Sequence, residues 1–372
     1  MRPVCRAVSL AGMPKTPAAE VVAGDRAVRV SSPDRVIYEA TDRTPEVSKL
    51  MVAEFFASVG DGLMRALRDR PTALERWTSG VRPGMKLATG PQDRNADAFY
   101  QKRVPKGAPD YLESVEITFP SGRKAEEICP TEIAVPVWCA HMGALTFHPW
   151  PVRRDDVDRP DELRIDLDPQ PGTTFADAVR VAGVARELLE ELGLRGFAKT
   201  SGNRGVHVFV RIEPRWEFVD VRHAAIGFGR ELEKRDDGVT TAWWKEERGE
   251  RIFVDFNQNC RDRTIASAYS LRPIPGAPVS TPMSWDELAT VTDPGAYNLF
   301  TVPERLADGD PWAGIDDTAY SLEPLLRLFE EQGSVELNYP PDYPKMPGEP
   351  PRVQPSKKVE AHWDADGNRI DP

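Results

Sequence analysis

Cysteine is scarce in this chain: four in 372 residues, at positions 5, 129, 139 and 260, without a compact spacing. No disulfide framework is indicated, and a reducing compartment fits. No apolar run approaches the ~20 residues that a membrane span needs. The N-terminus lacks the charged, apolar and small-residue succession of a signal peptide. A cytoplasmic protein with no membrane contact is expected. Nor is there an excess of positive charge, the formal net charge being -11. That argues against a general nucleic-acid coat, whose non-specific affinity comes from neutralised phosphates. No internal repeat and no heptad pattern is present. What remains is a chain long enough for two or three compact units, or for one large α/β domain with additions.

Residues 1–20 mix proline, alanine and small polar residues without period and read as a flexible leader. Order is expected from Val21, in a hairpin over VAGDRAVRVSS that turns at Gly24 and Asp25. Leu50, Met51, Phe55, Val59, Leu63 and Leu67 recur at helical spacing, predicting one helix from about Ser48 to Arg70, stopped by Pro71. Thr78 to Asn95, rich in glycine, proline and basic residues, reads as an inserted loop. β-rich stretches from Asp110 to Pro120 and from Val135 to Trp150 flank the turn signal Ser121-Gly122 and predict a second hairpin. Leu163 to Asp168 reads as a strand with Leu163, Ile165 and Leu167 inward. The next helix is capped by Thr174 with Asp177, carries Phe175, Ala178, Ala182, Ala185, Leu189 and Leu192 on one face, and ends at Gly193. Strands at Phe197–Lys199, Val206–Ile212 and Ile252–Phe256, with a helix over Val219–Lys234, complete an α/β alternation. Past Pro273 come proline-rich connections and a helix near Leu322–Gln332; from residue 338 to 372 proline density predicts an extended tail.

Three segments carry the chemistry. In a strand alternate side chains share a face, so Asp166 and Asp168 emerge together, ~7 Å apart. Pro169, Pro171 and Gly172 end that strand at once, placing both carboxylates at a strand end, where ligands bind in open α/β sheets. Asp255, from a second strand, would complete an all-oxygen pocket suited to magnesium or manganese rather than zinc. Between them lies TSGNRGVHVFV. Gly202 and Gly205 permit left-handed angles and a nest of amides for phosphate oxygens. Ser201 adds a hydroxyl, Arg204 a guanidinium and His207 an imidazole N–H. The bland alternatives are an exposed DxD turn and a plain β-turn with a half-buried histidine; the apolar alternation around Asp166 weighs against the first. A serine hydrolase lacks its GxSxG elbow here, and a metal nuclease would not need the glycine loop. Cys129, Cys139, His141 and His148 match no compact zinc knuckle, and Cys139 and His141 read as part of one alternating stretch. Basic residues gather near the motifs (Lys102, Arg103, Lys106; Arg153, Arg154; Lys199, Arg204; Arg261, Arg263, Arg272), predicting a basic groove on an acidic body.

The segments HPWPVR, DELRIDLDPQPG, KTSGNRGVHVFV and VDFNQNCRDRTIASAYSLR resemble the polymerase domain of bacterial ligase D, part of the archaeo-eukaryotic primase superfamily. The resemblance runs from about residue 21 to about residue 300 and is greatest to the stand-alone actinobacterial primase-polymerases. It implies an α/β (α+β) fold, a primase-like core with mixed and antiparallel sheets flanked by helices, beside an N-terminal α/β module. The polymerase domain would span residues 21–337: the module to about 135, the core over 136–300 and a helical part over 301–337. Asp166, Asp168 and Asp255 would hold two divalent ions, manganese or magnesium. His148 would contact the sugar of the incoming nucleotide, Ser201, Arg204, His207 and Arg272 its triphosphate, and Gln258 would lie beside it. Phe99 and Tyr100 resemble the aromatic pair that stacks on the template base, with Lys102 nearby. The implied activity is template-directed addition of nucleotides, ribonucleotides readily, to a primer 3′-hydroxyl. It would fill short gaps in DNA repair, as a monomer at the nucleoid. No ligase nucleotidyl-lysine motif or histidine-rich phosphoesterase pattern is recognised, so a DNA ligase acting in trans is the expected partner.

Two departures stand out. The family's contacts to a downstream 5′-phosphate, an asparagine and two lysines, match Ser32, Arg35 and Lys49 here, keeping the charge and altering the hydrogen bonding. Where the family often has Lys-Arg-Trp, this chain has Glu75, Arg76 and Trp77, a reversed charge expected near the template channel. The rival readings are a primase that starts chains without a primer and a nucleotide- or DNA-binding protein without catalysis. The intact carboxylates speak against the second.

Overall fold

The computed structural model describes residues 17–88, 93 and 95–352. It opens on the expected hairpin, β1 (Ala18–Ala23) and β2 (Arg26–Ser31), with Val21 opposite Val28. The ladder begins at Ala18, inside the expected leader, and Ser32 N–H extends it to the Pro17 carbonyl at 2.9 Å. β3 (Val36–Tyr38) and β4 (Val47–Ser48) pair next. Ser48 caps α1 (Lys49–Ser58), its hydroxyl accepting the Met51 N–H at 3.3 Å. The single helix expected here is two, because α2 (Gly60–Leu67) starts afresh after Val59 leaves helical geometry at φ -94° and ψ 17°. Gly60 and Gly62 weaken the helix at the break, and both pieces then bury a face, Phe55 and Phe56 in one and Leu63 and Leu67 in the other.

β5 (Thr72–Arg76) is the hub of the first sheet, followed by β6 (Phe99–Gln101), β7 (Ser114–Thr118) and β8 (Lys124–Ile128). β7 and β8 form the hairpin at Ser121-Gly122, and β5 pairs antiparallel with β6 and, at Thr72, with β8. The stretch from Val135, expected as strand, is α3 (Ala134–His141) and then β9 (Ala144–Pro149), which pairs with the free edge of β5. α3 is buried on all sides up to Ala140, so no polar face marks it as a helix, and burial overrides the β preference of Val135 and Val137. The first sheet therefore reaches beyond residue 135, where the N-terminal module was expected to end. Of the expected insertion, residues 89–92 and 94 lie outside the described residues, as do Cys5 and residues 353–372.

The second sheet is built on β10 (Glu162–Pro169). α4 (Phe175–Glu191) follows, its start fixed by Thr174 N–H donating to Asp177 at 2.8 Å. Then come β11 (Phe197–Thr200), β12 (Val206–Arg211), α5 (Phe218–Arg235), β13 (Val239–Thr240), α6 (Lys245–Arg248) and β14 (Ile252–Val254). With β15 (Pro282–Met283) the order is β13-β14-β10-β12-β11-β15, antiparallel except for β13 and β14. Leu163, Ile165 and Leu167 pack one face of β10 on α4 and α5, in a core with Ala178, Ala182, Ala224 and Phe228. The other face is polar and bears Glu162, Arg164, Asp166 and Asp168. Arg164 ties it to the first sheet through the Pro149 carbonyl at 2.8 Å. Short helices α7 (Trp285–Leu288) and α8 (Val302–Arg305) lead to α9 (Glu323–Glu331) on α5. Residues 338–352, expected as a free extended tail, form neither helix nor strand but dock: Tyr339 is buried, and the Asn338 carbonyl accepts from Asn257 Nδ2 at 3.0 Å.

Candidate active site

Register brings the site together. Asp166 on β10 lies directly opposite His207 on β12, and His207 lies opposite Lys199 on β11. Directly opposed residues share a face, so three adjacent strands present a Lys-His-Asp row. Lys199 Nζ is 2.8 Å from His207 Nδ1, and His207 Nε2 is 3.3 Å from Asp166 Oδ1. Lys199 is 0% exposed, and its Nζ also meets the Ser280 hydroxyl. Asp168, two residues on, is on the same face at the strand end. Asp255 is not in a strand as expected: β14 stops at Val254, and Asp255 caps the 3-10 turn Phe256–Asn259, accepting the Asn257 N–H at 3.1 Å. Its own N–H reaches the Asp166 carbonyl at 3.0 Å, which keeps it beside β10.

The three carboxylates perturb one another. Burial pushes Asp166 up to about 6. The Asp166 charge and then burial push Asp168 up to about 7, and burial with both neighbours pushes Asp255 up to about 7. Buried Asp166 Oδ1 has no hydrogen-bond partner, since the His207 approach is close without being aligned. Repelling carboxylates with an orphaned oxygen fit a hard divalent cation. Among the described residues no trio of His, Cys, Asp or Glu converges as tightly as ligands around an ion. Repulsion accounts for this, because like charges hold their oxygens apart until a cation neutralises them.

Around them is a cleft of about 240 Å³ lined by His148, Asp166, Asp168, Ser201, Arg204, His207, Gln258 and Arg272, among others. Every residue expected at the nucleotide is in that lining. Asp255 is outside it and is reached through Gln258, whose Nε2 donates to Asp255 Oδ2 at 3.0 Å. Arg272 arrives on a connection stitched to β9, with Ser267 N–H on the Phe147 carbonyl at 2.9 Å and Leu271 N–H on the Leu145 carbonyl at 3.1 Å. The glycine loop differs from a bare amide nest. Asn203 and Gly205 N–H groups donate to Ser201 Oγ at 3.2 and 3.0 Å, so those two amides are turned inward and the Ser201 O–H and Arg204 side chain are left to the cleft. Only Gly202 is left-handed, at φ +72°. Gly205 is required by space, since a Cβ there would come within 3.0 Å of the Leu167 carbonyl.

The first sheet supplies the other wall. On β5, Glu75 lies opposite Tyr100 of β6 and Thr146 of β9, and His148 is two residues on along β9. Glu75 is the reversed charge expected near the template channel. It is buried, accepting from Trp77 Nε1 at 2.9 Å and meeting His148 Nε2 at 3.1 Å. Burial raises its pKa, but those hydrogen bonds outweigh it and leave Glu75 below the ordinary carboxylate range. Phe99 and Tyr100 are 38% and 43% exposed at the lip, Tyr100 edge-on to His148 at 5.2 Å and Arg76 over Phe99 at 5.1 Å.

The expected basic groove is narrower than the clusters implied. Lys102 pairs with Asp262, Arg153 with Asp161, Arg154 with Asp69, Arg261 with Asp158 and Arg263 with Asp342. Among the described residues no carboxylate is within ion-pair distance of Arg204 or Arg272, and both line the cleft. Ser32, Arg35 and Lys49 cluster away from it: Lys49 N–H bonds the Arg35 carbonyl at 2.8 Å, and Arg35 N–H bonds Ser32 at 3.1 Å. Burial and Arg35 lower Lys49 to about 8. Cys139 and His141 are on α3 rather than in an alternating strand, and Ser31 N–H occupies His141 Nδ1 at 3.3 Å. Glu75 and Lys199 are the functional candidates that motif reading missed. Their signals were a charge inside an otherwise buried strand, the place of Lys199 in a basic cluster and the charge reversal at Glu75.

Strand-end carboxylates and the guanidinium groups of Arg204 and Arg272 thus line one cleft between two sheets. The model of the LigD primase-polymerase domain matches residues 48–312, and the chain belongs to that family. It is 31% identical over 323 residues to the multifunctional non-homologous end joining protein LigD of Pseudomonas aeruginosa, covering 86% of this chain and 36% of that protein. Its identity to the Mycolicibacterium smegmatis protein of the same description is 30% over 329 residues, covering 86% and 40%. The chain thus spans well under half the length of these relatives. The polymerase domain of Mycobacterium tuberculosis ligase D, solved in complex with DNA, superposes with a TM-score of 0.67 at 26% identity, covering 78% of this chain and 98% of that one. The mixed α/β fold with antiparallel sheets is the fold of that domain. No helix among the described residues is long and apolar enough to cross a membrane.

Proposed function

We propose that the chain is a template-directed polymerase that adds nucleotides, ribonucleotides readily, to a primer 3′-hydroxyl in filling short gaps during end-joining DNA repair in the cytoplasm. The observation that carries this reading is the single cleft in which the expected nucleotide-binding residues meet Asp166 and Asp168. Two divalent ions, manganese or magnesium, held by Asp166, Asp168 and Asp255 would activate the 3′-hydroxyl and neutralise the leaving pyrophosphate. The remaining work falls to the chain's own groups. Arg204 and Arg272, without carboxylate partners, take the triphosphate oxygens. Ser201 donates its hydroxyl hydrogen, because its lone pairs are already engaged by two amides. His207 donates from Nε2. His148 meets the sugar, and Gln258 keeps Asp255 turned toward β10 while lining the nucleotide side. Phe99 and Tyr100, exposed at the lip, stack on the template base without regard to sequence. Lys102 and Arg76 flank them, and Ser32, Arg35 and Lys49 receive the 5′-phosphate of a downstream strand. The filled nick then needs a DNA ligase, the partner expected in trans.

Primer extension on gapped DNA with manganese tests the reading. Wild-type protein should extend the primer and Asp166→Ala/Asp168→Ala should not. Wild-type incorporation rates in that double variant would refute the site.

A further inference from the structure

We propose that Glu75 is a positioning residue that locks His148 with its hydrogen on Nε2, so that Nδ1 faces the cleft as an acceptor for a nucleotide sugar hydroxyl. This rests on the nucleotide reading of the cleft given above. The geometry starts at Trp77. An indole N–H can only donate, so the Glu75 Oε1 that it approaches at 2.9 Å must accept. The other oxygen, Oε2, is 3.1 Å from His148 Nε2. Glu75 is held ionised, below the ordinary carboxylate range, and burial keeps His148 below its own ordinary value and hence neutral. A carboxylate cannot donate, so the hydrogen between them belongs to His148 Nε2. In a neutral imidazole the other nitrogen then carries a lone pair. Nδ1 has no partner among the described protein groups, and the ring lines the cleft.

An acceptor at that point discriminates. A 2′-hydroxyl can donate to it, while a 2′-deoxy sugar leaves the lone pair without a partner once the bound nucleotide excludes water. His207 is also backed by a buried side chain, with Lys199 Nζ 2.8 Å from its Nδ1. Each of the two cleft histidines is thus oriented by a buried side chain from a neighbouring strand.

The test uses Glu75→Gln in the full chain. Trp77 must still donate, which turns the introduced amide oxygen toward the indole and its NH2 toward His148 Nε2. That nitrogen must then accept, and the hydrogen moves to Nδ1. Histidine-selective 15N NMR reads the tautomer directly, and kcat/KM for ATP against dATP opposite template thymine reads selectivity. The expected result is an Nε2–H tautomer in the wild type, an Nδ1–H tautomer in the variant, and an ATP preference reduced about tenfold. Adding Trp77→Phe frees the amide to turn over and should restore part of both, whereas mere structural damage would worsen. An Nδ1–H tautomer in the wild type overturns the proposal, as does a switched tautomer with unchanged selectivity. A wild type that incorporates neither nucleotide would sink the polymerase reading while the tautomer measurement still judged Glu75.

Discussion

Both sheets line the cleft, and they prepare their side chains in opposite ways. The second sheet gathers like charges: Asp166, Asp168 and Asp255 repel one another, and fully buried Lys199 stands behind His207. Burial and then the Arg272 charge hold Lys199 well below its ordinary pKa, and burial with Lys199 does the same to His207. The first sheet pairs opposites and aromatics, with Glu75 satisfied by Trp77 and His148 under the exposed Phe99 and Tyr100. One wall carries repulsion among its carboxylates and the other is already satisfied. A polymerase needs this difference: charge must be neutralised where phosphate reacts, while a base and sugar need fixed shape and hydrogen bonding.

Breaking the strained wall should have the largest effect. Asp168→Asn is expected to lower primer extension about a thousandfold, several kcal/mol at ~1.4 kcal/mol per decade. The same change should stabilise the metal-free protein. Burial and mutual repulsion push the three carboxyl groups up to about 6 to 7, so their penalty is absent below the ordinary carboxylate range, grows as pH rises from there, and is complete above those values. Melting curves with chelator should show the variant gaining about 2–4 °C over wild type at pH 8 and less at pH 5, with manganese closing the gap. A variant that melts lower at pH 8 would refute the strained-wall picture.

Lys199→Met keeps the buried volume and removes the cation behind His207. KM for the nucleoside triphosphate should rise about thirtyfold, the range of a lost charge-assisted hydrogen bond, with melting temperature little changed. On the other wall, Phe99→Ala and Tyr100→Ala should each weaken primer-template binding about tenfold, as expected for one lost stack. Fluorescence anisotropy measures that, and nucleotide KM should move less. An equal loss in both quantities would erase the division between walls. The smallest effect is outside both. Arg35→Ala should reduce the preference for a 5′-phosphorylated over a 5′-hydroxyl gap about threefold, in line with an exposed charge contributing up to ~1 kcal/mol.

Legibility followed periodicity. The alternation of Leu163, Ile165 and Leu167 and the capped face of Phe175 to Leu192 were readable because each has one apolar and one polar side. α3 was not, because burial on all sides removes the period that distinguishes helix from strand. The break at Val59 followed from packing of two short helices, which no window of sequence contains. Glu75 stood out in the sequence only as a reversed charge against the family's Lys-Arg-Trp run. Its partner is His148, reached through strand pairing.

By itself the sequence determined the chemical inventory: three aspartates and a glycine loop with serine, arginine and histidine, in motifs that local periodicity could place on a strand end or turn, and an aromatic pair marked by family resemblance alone. Only the tertiary structure decided which groups are partners. Cross-strand register set Lys199 behind His207 and Glu75 behind His148, because hydrogen-bonded ladders join residues 8 and 73 positions apart. It also left Arg204 and Arg272 without carboxylate partners while pairing Lys102, Arg153, Arg154, Arg261 and Arg263. Charge is a property of composition, but whether it is available to a ligand depends on what the fold brings within reach of it.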